Sequence, residues 1–107
     1  MKPDALKGQL ELVVLATLRD DPLHGYGIIK QIRDRTAGEL DVLEGTLYPA
    51  LYRLESVGMV KSRWETGAGR RRRVYELTPK GRNALAAQVS EWRSFARTLD
   101  VILGRTP

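Results

Sequence analysis

The stretch Glu44-Gly45-Thr46-Leu47-Tyr48-Pro49-Ala50-Leu51-Tyr52-Arg53-Leu54-Glu55, followed by Val57-Gly58, decides how the chain is read. Leu47, Leu51 and Leu54 recur at i, i+4 and i+7, the spacing of one helical face, while Gly45, Thr46, Pro49, Arg53 and Ser56 project from the opposite side. The spacing therefore predicts a helix over Glu44 to Val57 with an apolar back and a small, polar, partly basic front. Gly58 supplies the positive φ that ends such a helix, and Pro49 fits only if the helix starts shortly before it. A front of that kind suits a recognition helix lying in a DNA groove.

The hairpin expected after this helix carries the charge. Met59 to Glu65 and Arg71 to Thr78 alternate with period two, the pattern of two strands. Between them Thr66-Gly67-Ala68-Gly69-Arg70 reads as a glycine-rich, positively charged tip. A basic hairpin following a recognition helix is the layout of a wing, with Arg70, Arg71 and Arg72 placed to reach backbone phosphates. The glycines do not make a phosphate loop, because no Gly-Lys-Ser/Thr and no helix follows them. Across 107 residues the formal net charge is +5, and the pI is near 9.9. Lys61, Arg63 and Arg70 to Arg73 concentrate that excess, which suits phosphates or an anionic surface; a merely solubilising face is the plainer reading.

On the N-terminal side, Leu6 to Arg19 reads as a first helix with a main stripe of Leu6, Leu10, Val13, Val14, Thr17 and Leu18. Leu12, Leu15 and Ala16 occupy its other side, so a second subunit is expected to cover Leu12 and Leu15. Asp20-Asp21-Pro22-Leu23 is a turn. A second helix opens at His24-Gly25-Tyr26-Gly27 and runs to about Thr36. Its two early glycines cost helix stability, which points to a close backbone approach by DNA or a neighbouring helix. His24, the only histidine, is read as a capping or packing residue and not a metal ligand. Asp41 is the nearest side chain of good capping type before the third helix.

After the hairpin, Thr78-Pro79 has the residue types of a helix start. Leu85, Val89, Trp92, Ala96, Leu99 and Leu103 then form a heptad seam, broadened by Phe95 and Ile102. A helix from Pro79 to Leu103 is about 37 Å long at about 1.5 Å per residue, more than the body in front of it needs. A dimer interface through Leu12, Leu15, Leu85, Val89, Trp92, Leu99 and Leu103 is the expectation. So small a domain gains from a partner's cover.

Taken together, Gly45-Thr46-Leu47-Tyr48-Pro49-Ala50-Leu51, Arg53-Leu54-Glu55 with Gly58, His24-Gly25-Tyr26 and Tyr75-Glu76-Leu77-Thr78-Pro79-Lys80-Gly81-Arg82 resemble the PadR family of bacterial transcriptional regulators. The resemblance spans residues 6 to 103 and implies a mainly α fold with a small β-hairpin: a winged helix-turn-helix over 1–78, then a C-terminal dimerisation helix and short tail over 79–107. It further implies a homodimer repressing a promoter through an inverted-repeat operator, in the branch with one C-terminal helix. Val74 stands where many relatives carry an aromatic, and Leu43 where a small polar cap is common.

On this reading Thr46, Tyr48, Pro49 and Arg53 face double-stranded DNA, with Arg53 the best candidate for a bidentate base contact. Tyr48 lies on the flank, where its ring packs and its hydroxyl reaches a phosphate, or where it is simply a buried tyrosine. Some multidrug-sensing relatives stack planar aromatic compounds on a C-terminal-helix tryptophan, which makes Trp92 a candidate effector residue; filling a seam position is its plainer role. No cofactor is expected, and cysteine is absent. No carboxylate pair, metal cluster or activated nucleophile suggests an enzyme. The longest apolar run, Leu12 to Leu18, is too short to span a bilayer, so a cytoplasmic protein without membrane attachment is expected. The competing reading is a winged helix used for protein contacts, its basic wing gripping an acidic partner.

Overall fold

The computed structural model describes residues 9–104. In chain order the elements are α1 Leu10–Thr17, β1 Leu23–His24, α2 Gly25–Arg35, α3 Glu44–Ser56, β2 Val60–Gly67, β3 Arg70–Leu77 and α4 Pro79–Leu103. Leu6 to Gly8, expected to open the first helix, lie outside the described residues. The segment read as a turn ends in a two-residue strand: Leu23 and His24 pair with Tyr75 and Val74, and the sheet has three strands in the order β1-β3-β2. Two residues are too short for an alternating pattern to show.

The hairpin is also longer than its sequence suggests. The ladder runs unbroken from Val60↔Leu77 to Gly67↔Arg70, leaving only Ala68-Gly69 as the turn. Both turn residues have positive φ, 50° and 76°, which matches the twist of flanking strands in a two-residue hairpin. Thr66, Gly67 and Arg70 are therefore strand residues and not tip residues. At the start of α3 the capping position is Leu43, which makes no side-chain cap bond, and Asp41 instead lies 3.8 Å from Arg33.

The apolar back of α3 is the centre of the core. Leu47, Ala50, Leu51 and Leu54 are all at most 1% exposed and join Val14, Leu15 and Leu18 of the α1 segment, Ile28 and Ile32 of α2, and Leu77 and Leu85. Each such leucine contributes about 1.5–3 kcal/mol by leaving water. Two residues expected at a subunit interface belong to this core. Leu15 is 0% and Leu85 4% exposed, because α2, α3 and α4 all pack on α1 and cover the side assigned to a partner.

The corner joining the wing to α4 is tightly built. The Thr78 hydroxyl accepts from the Gly81 N–H at 3.0 Å and donates to the Gly58 carbonyl at 2.6 Å. Lys80 donates to the Val57 carbonyl at 2.7 Å, satisfying the C-terminal end of α3 where a cation also suits the helix dipole. A Cβ on Gly81 would lie 2.9 Å from the Met59 carbonyl carbon and collide with its oxygen, so only glycine fits. Past Val89 the helix runs free: Trp92, Phe95, Leu99, Val101, Ile102 and Leu103 are between 38% and 82% exposed. The chain measures 55 × 29 × 21 Å.

Candidate nucleic-acid interface

Gly45, Thr46, Tyr48, Pro49, Tyr52, Arg53 and Ser56 are all exposed on the outer side of α3. They divide into two flanks. Arg53 leans toward α1, where its Nε donates to Glu11 at 3.1 Å. Tyr48 leans toward α2: its ring crosses Gly25 so closely that a Cβ there would lie 2.6 Å and 2.9 Å from two ring carbons. The close approach foreshadowed by the glycines is thus made by a neighbouring helix. At 44% exposed, Tyr48 is not a buried helix tyrosine.

On the hairpin, successive side chains alternate between faces, so the four arginines do not act as one block. The guanidinium of Arg71 lies 4.6 Å from the centre of the Trp64 ring, and that of Arg73 5.4 Å from it. Arg73 is further held by Ser62 at 2.8 Å and by Glu55, 3.7 Å away on α3. Its charge is largely spent on fixing the wing to α3, whereas Arg71 keeps N–H edges free around the ring it stacks on. Arg70 opens β3 next to the turn and is exposed.

Arg72 faces the other way, with Nη1 3.0 Å from Nε2 of His24. The histidine caps α2, and its Nδ1 accepts the Gly27 N–H at 3.0 Å. A neutral imidazole that accepts at Nδ1 carries its proton on Nε2. Arg72 and His24 therefore turn two donors toward each other, an arrangement that an oxyanion between them would satisfy. Burial pushes the Tyr75 phenol above its ordinary pKa, partly opposed by Arg73, which keeps this ring neutral beside the arginines.

These parts converge. His24, Gly25 and Tyr26 of the α2 start, Glu44 and Tyr48 of α3, and Trp64, Arg70 to Arg73 and Tyr75 of the sheet line one cleft of about 640 Å³. With Arg73 paired to Glu55, Arg70, Arg71 and Arg72 against the Glu44 carboxylate leave it positive, and aromatic rings interleave them. Of the residues expected to face DNA, Tyr48, Arg70, Arg71 and Arg72 meet in this cleft; Thr46, Pro49 and Arg53 are exposed beside it but do not line it. The sequence reading gave Trp64, Tyr26 and Tyr52 no part in the interface; His24, read as a capping residue, does cap α2 and also lines the cleft. Tyr52, 75% exposed, lies three residues after Pro49 and so shares its helical face, a signal the sequence did contain. Trp64 was hidden by an alternation that looked like ordinary strand packing.

The remaining residues assigned to an interface lie along α1 and α4. Leu12 and Val89 are partly buried, and Trp92 is 53%, Leu99 38% and Leu103 71% exposed. Gln9, Glu11, Leu12, Gln88, Glu91, Trp92 and Phe95 line a groove between the two helices. Among the described residues no helix is long and apolar enough to cross a membrane, and no three His, Asp or Glu side chains form a metal-sized cluster.

A helix-turn-helix followed by a two-stranded wing, with the α2 start, α3 and a basic hairpin meeting in one cleft, defines a winged helix-turn-helix protein. The PadR-like transcriptional regulator family matches residues 14–87, and the chain belongs to that family, one of regulators and not of enzymes. Transcriptional regulator Rv3488 of Mycobacterium tuberculosis is 34% identical over 91 residues, covering 85% of this chain and 82% of that protein. A PadR family transcription regulator from Clostridium difficile superposes with a TM-score of 0.80 at 34% identity, over 89% of this chain and 98% of its own. PadR of Bacillus subtilis, solved in complex with operator DNA, is alike in fold: TM-score 0.68 at 24% identity, over 76% of this chain and 46% of that one. The family and the winged-helix architecture read from the motifs are thereby borne out.

Proposed function

We propose that the protein is a sequence-specific DNA-binding repressor that works in the cytoplasm as a homodimer on an inverted-repeat operator. The observation that carries this reading is the shared cleft, in which the start of α2, the flank of α3 and the arginines of the wing form one positive, aromatic-lined concavity. The operator complex of Bacillus subtilis PadR, a protein of like fold, supports it. In this reading residues 1–78 hold the reader. Thr46, Tyr48, Pro49 and Arg53 enter the groove, while Arg70, Arg71 and Arg72 hold the backbone beside it. Phosphate contacts set register and affinity, and base contacts set the sequence.

Residues 79–107 supply the dimer helix and a short tail. A run of apolar side chains 38% to 82% exposed along the outer half of α4 is costly for a lone chain and natural at a subunit contact. Leu12, Val89, Trp92, Leu99 and Leu103 are the interface residues of this reading. The α1–α4 groove places Glu11 and Glu91 beside Trp92 and Phe95, a setting that favours a planar aromatic cation as releasing effector, with Trp92 stacking on it.

A gel shift with the chromosomal region upstream of the protein's own gene tests the central claim. Binding well above random DNA is expected, and equal binding to both would leave a protein-contact module as the better account. Sedimentation of the free protein tests the dimer, and quenching of Trp92 fluorescence by planar cationic dyes tests the effector.

A further inference from the structure

A second groove lies on the other side of α4 from Trp92. Its floor is Leu77, Leu85 and Ala86, with Val89 at the edge, and its rim carries Arg19, Arg82, Arg93 and Arg97, around a space of about 540 Å³. At about 100° per residue, Arg93 and Arg97 sit roughly 100° and more round the helix from Trp92 and Leu99, so a partner packed on the apolar seam leaves this face open. Nothing in the proposed DNA contacts or dimer seam uses these arginines.

Their partners are uneven. Arg82 donates to the Arg19 carbonyl at 3.1 Å, and Arg19 has Asp20 at 3.8 Å. Arg93 and Arg97 have no carboxylate within ion-pair distance among the described residues. They follow one another by four residues on the same helical face, so like charges repel there unless an anion sits between them. Ala86, Val89 and Arg93 then run along one side of the helix, from an apolar floor to a free cationic end.

We infer that this groove binds a small amphipathic anion, an alkyl chain ending in a carboxylate, with its head between Arg93 and Arg97 and its tail over Ala86, Leu85 and Leu77, while Val89 at the groove's edge belongs to the dimer seam. The apolar floor continues from Ala86 and Leu85 of α4 to Leu77 of β3, a path along which a linear chain can lie. Paired guanidinium groups recognise a carboxylate by forked, charge-assisted hydrogen bonds that an alcohol cannot match and an amine opposes.

The test is calorimetric titration of the full chain, without DNA, using sodium octanoate below its micelle concentration, with octylamine and 1-octanol as matched probes. One octanoate per chain is expected. The octylamine should not bind this site and the alcohol only weakly. Arg93→Gln with Arg97→Gln should weaken octanoate binding by about tenfold or more, while Lys30→Gln with Arg33→Gln, removing the same charge from α2, should leave it unchanged. Ala86→Trp, which fills the floor, should abolish it. All the substituted side chains except Ala86 are polar and on the surface, and circular dichroism confirms that each variant is folded. Absence of saturable octanoate binding, equal binding of octylamine, or an Arg93/Arg97 variant that binds like the parent would each overturn the inference. Because no DNA enters the measurement, these outcomes are independent of the repressor reading.

Discussion

Replacing Arg70, Arg71 and Arg72 together by alanine should flatten the salt dependence of DNA binding by an amount the wing's geometry sets. Each phosphate neutralised contributes about 0.9 to the slope of log affinity against log salt. All three side chains have donors to spare: Arg70 is exposed beside the turn, Arg71 is held over Trp64 by its face, and Arg72 meets only another donor on His24. Three contacts therefore predict a slope smaller by about 2.7. Between 50 and 200 mM salt, a range of about 0.6 log units, the ratio of parent to variant affinity should fall by roughly 40-fold. Arg73 is left in place because it ties the wing to Glu55 and Ser62, and its loss would move the hairpin as well as its charge. Fluorescence anisotropy of a labelled upstream duplex, titrated at four or five potassium chloride concentrations, measures the slope. A change smaller than about 1 would mean that at most one of these arginines meets a phosphate, and the wing would not be the clamp described.

Arg53→Lys keeps the charge but loses the planar fork, so it should cost about 1–3 kcal/mol at one operator position and leave the salt slope nearly unaltered. Glu11→Gln, which releases Arg53 from its exposed ion pair at 3.1 Å, should tighten operator binding; because such pairs contribute only about 0–1 kcal/mol, a gain of a few-fold is the ceiling, and weaker binding would argue that the pair positions Arg53 for DNA. Gly25→Ala should destabilise the fold by about 1–3 kcal/mol in urea denaturation by colliding with the Tyr48 ring, and should be nearly neutral in a Tyr48→Ala background; additive losses would show that the crowding is not the cause. Burial raises the Tyr75 pKa, so folding favours the neutral phenol: this contribution is whole below about pH 10 and is lost as pH climbs toward the folded value. Urea midpoints should fall above that pH in the parent and fall less in Tyr75→Phe.

Where the sequence could be read, it was read through periodicity and punctuation. The back of α3 was legible because Leu47, Leu51 and Leu54 share one face and Gly58 ends it with φ of +78°. The start of α4 was legible because Thr78 and Pro79 act within one turn. Long-range pairing was not legible. The strand at Leu23 and His24 exists only because Tyr75 and Val74 lie beside it, some fifty residues away. The same limit misplaced Leu15 and Leu85: a periodic stripe shows that a side chain is covered and is silent on which helix covers it. In the cleft, chain position placed the arginines together, but only the structure separates Arg71 on Trp64 from Arg72 at His24.

The corner between α3 and α4 bears on regulation. Lys80 and Thr78 close on the carbonyls of Val57 and Gly58, and Gly81 is pressed on Met59 with no room for a Cβ. A joint without slack moves α3 together with α4. In the proposed dimer, a change in the crossing of the two α4 helices near Trp92 therefore alters the separation of the two α3 helices. An effector acts only by its preference for one crossing over the other, and DNA favours the crossing that fits its half-site spacing. On that proposal, operator choice depends on the outward side chains of α3 and also on the packing of the apolar seam.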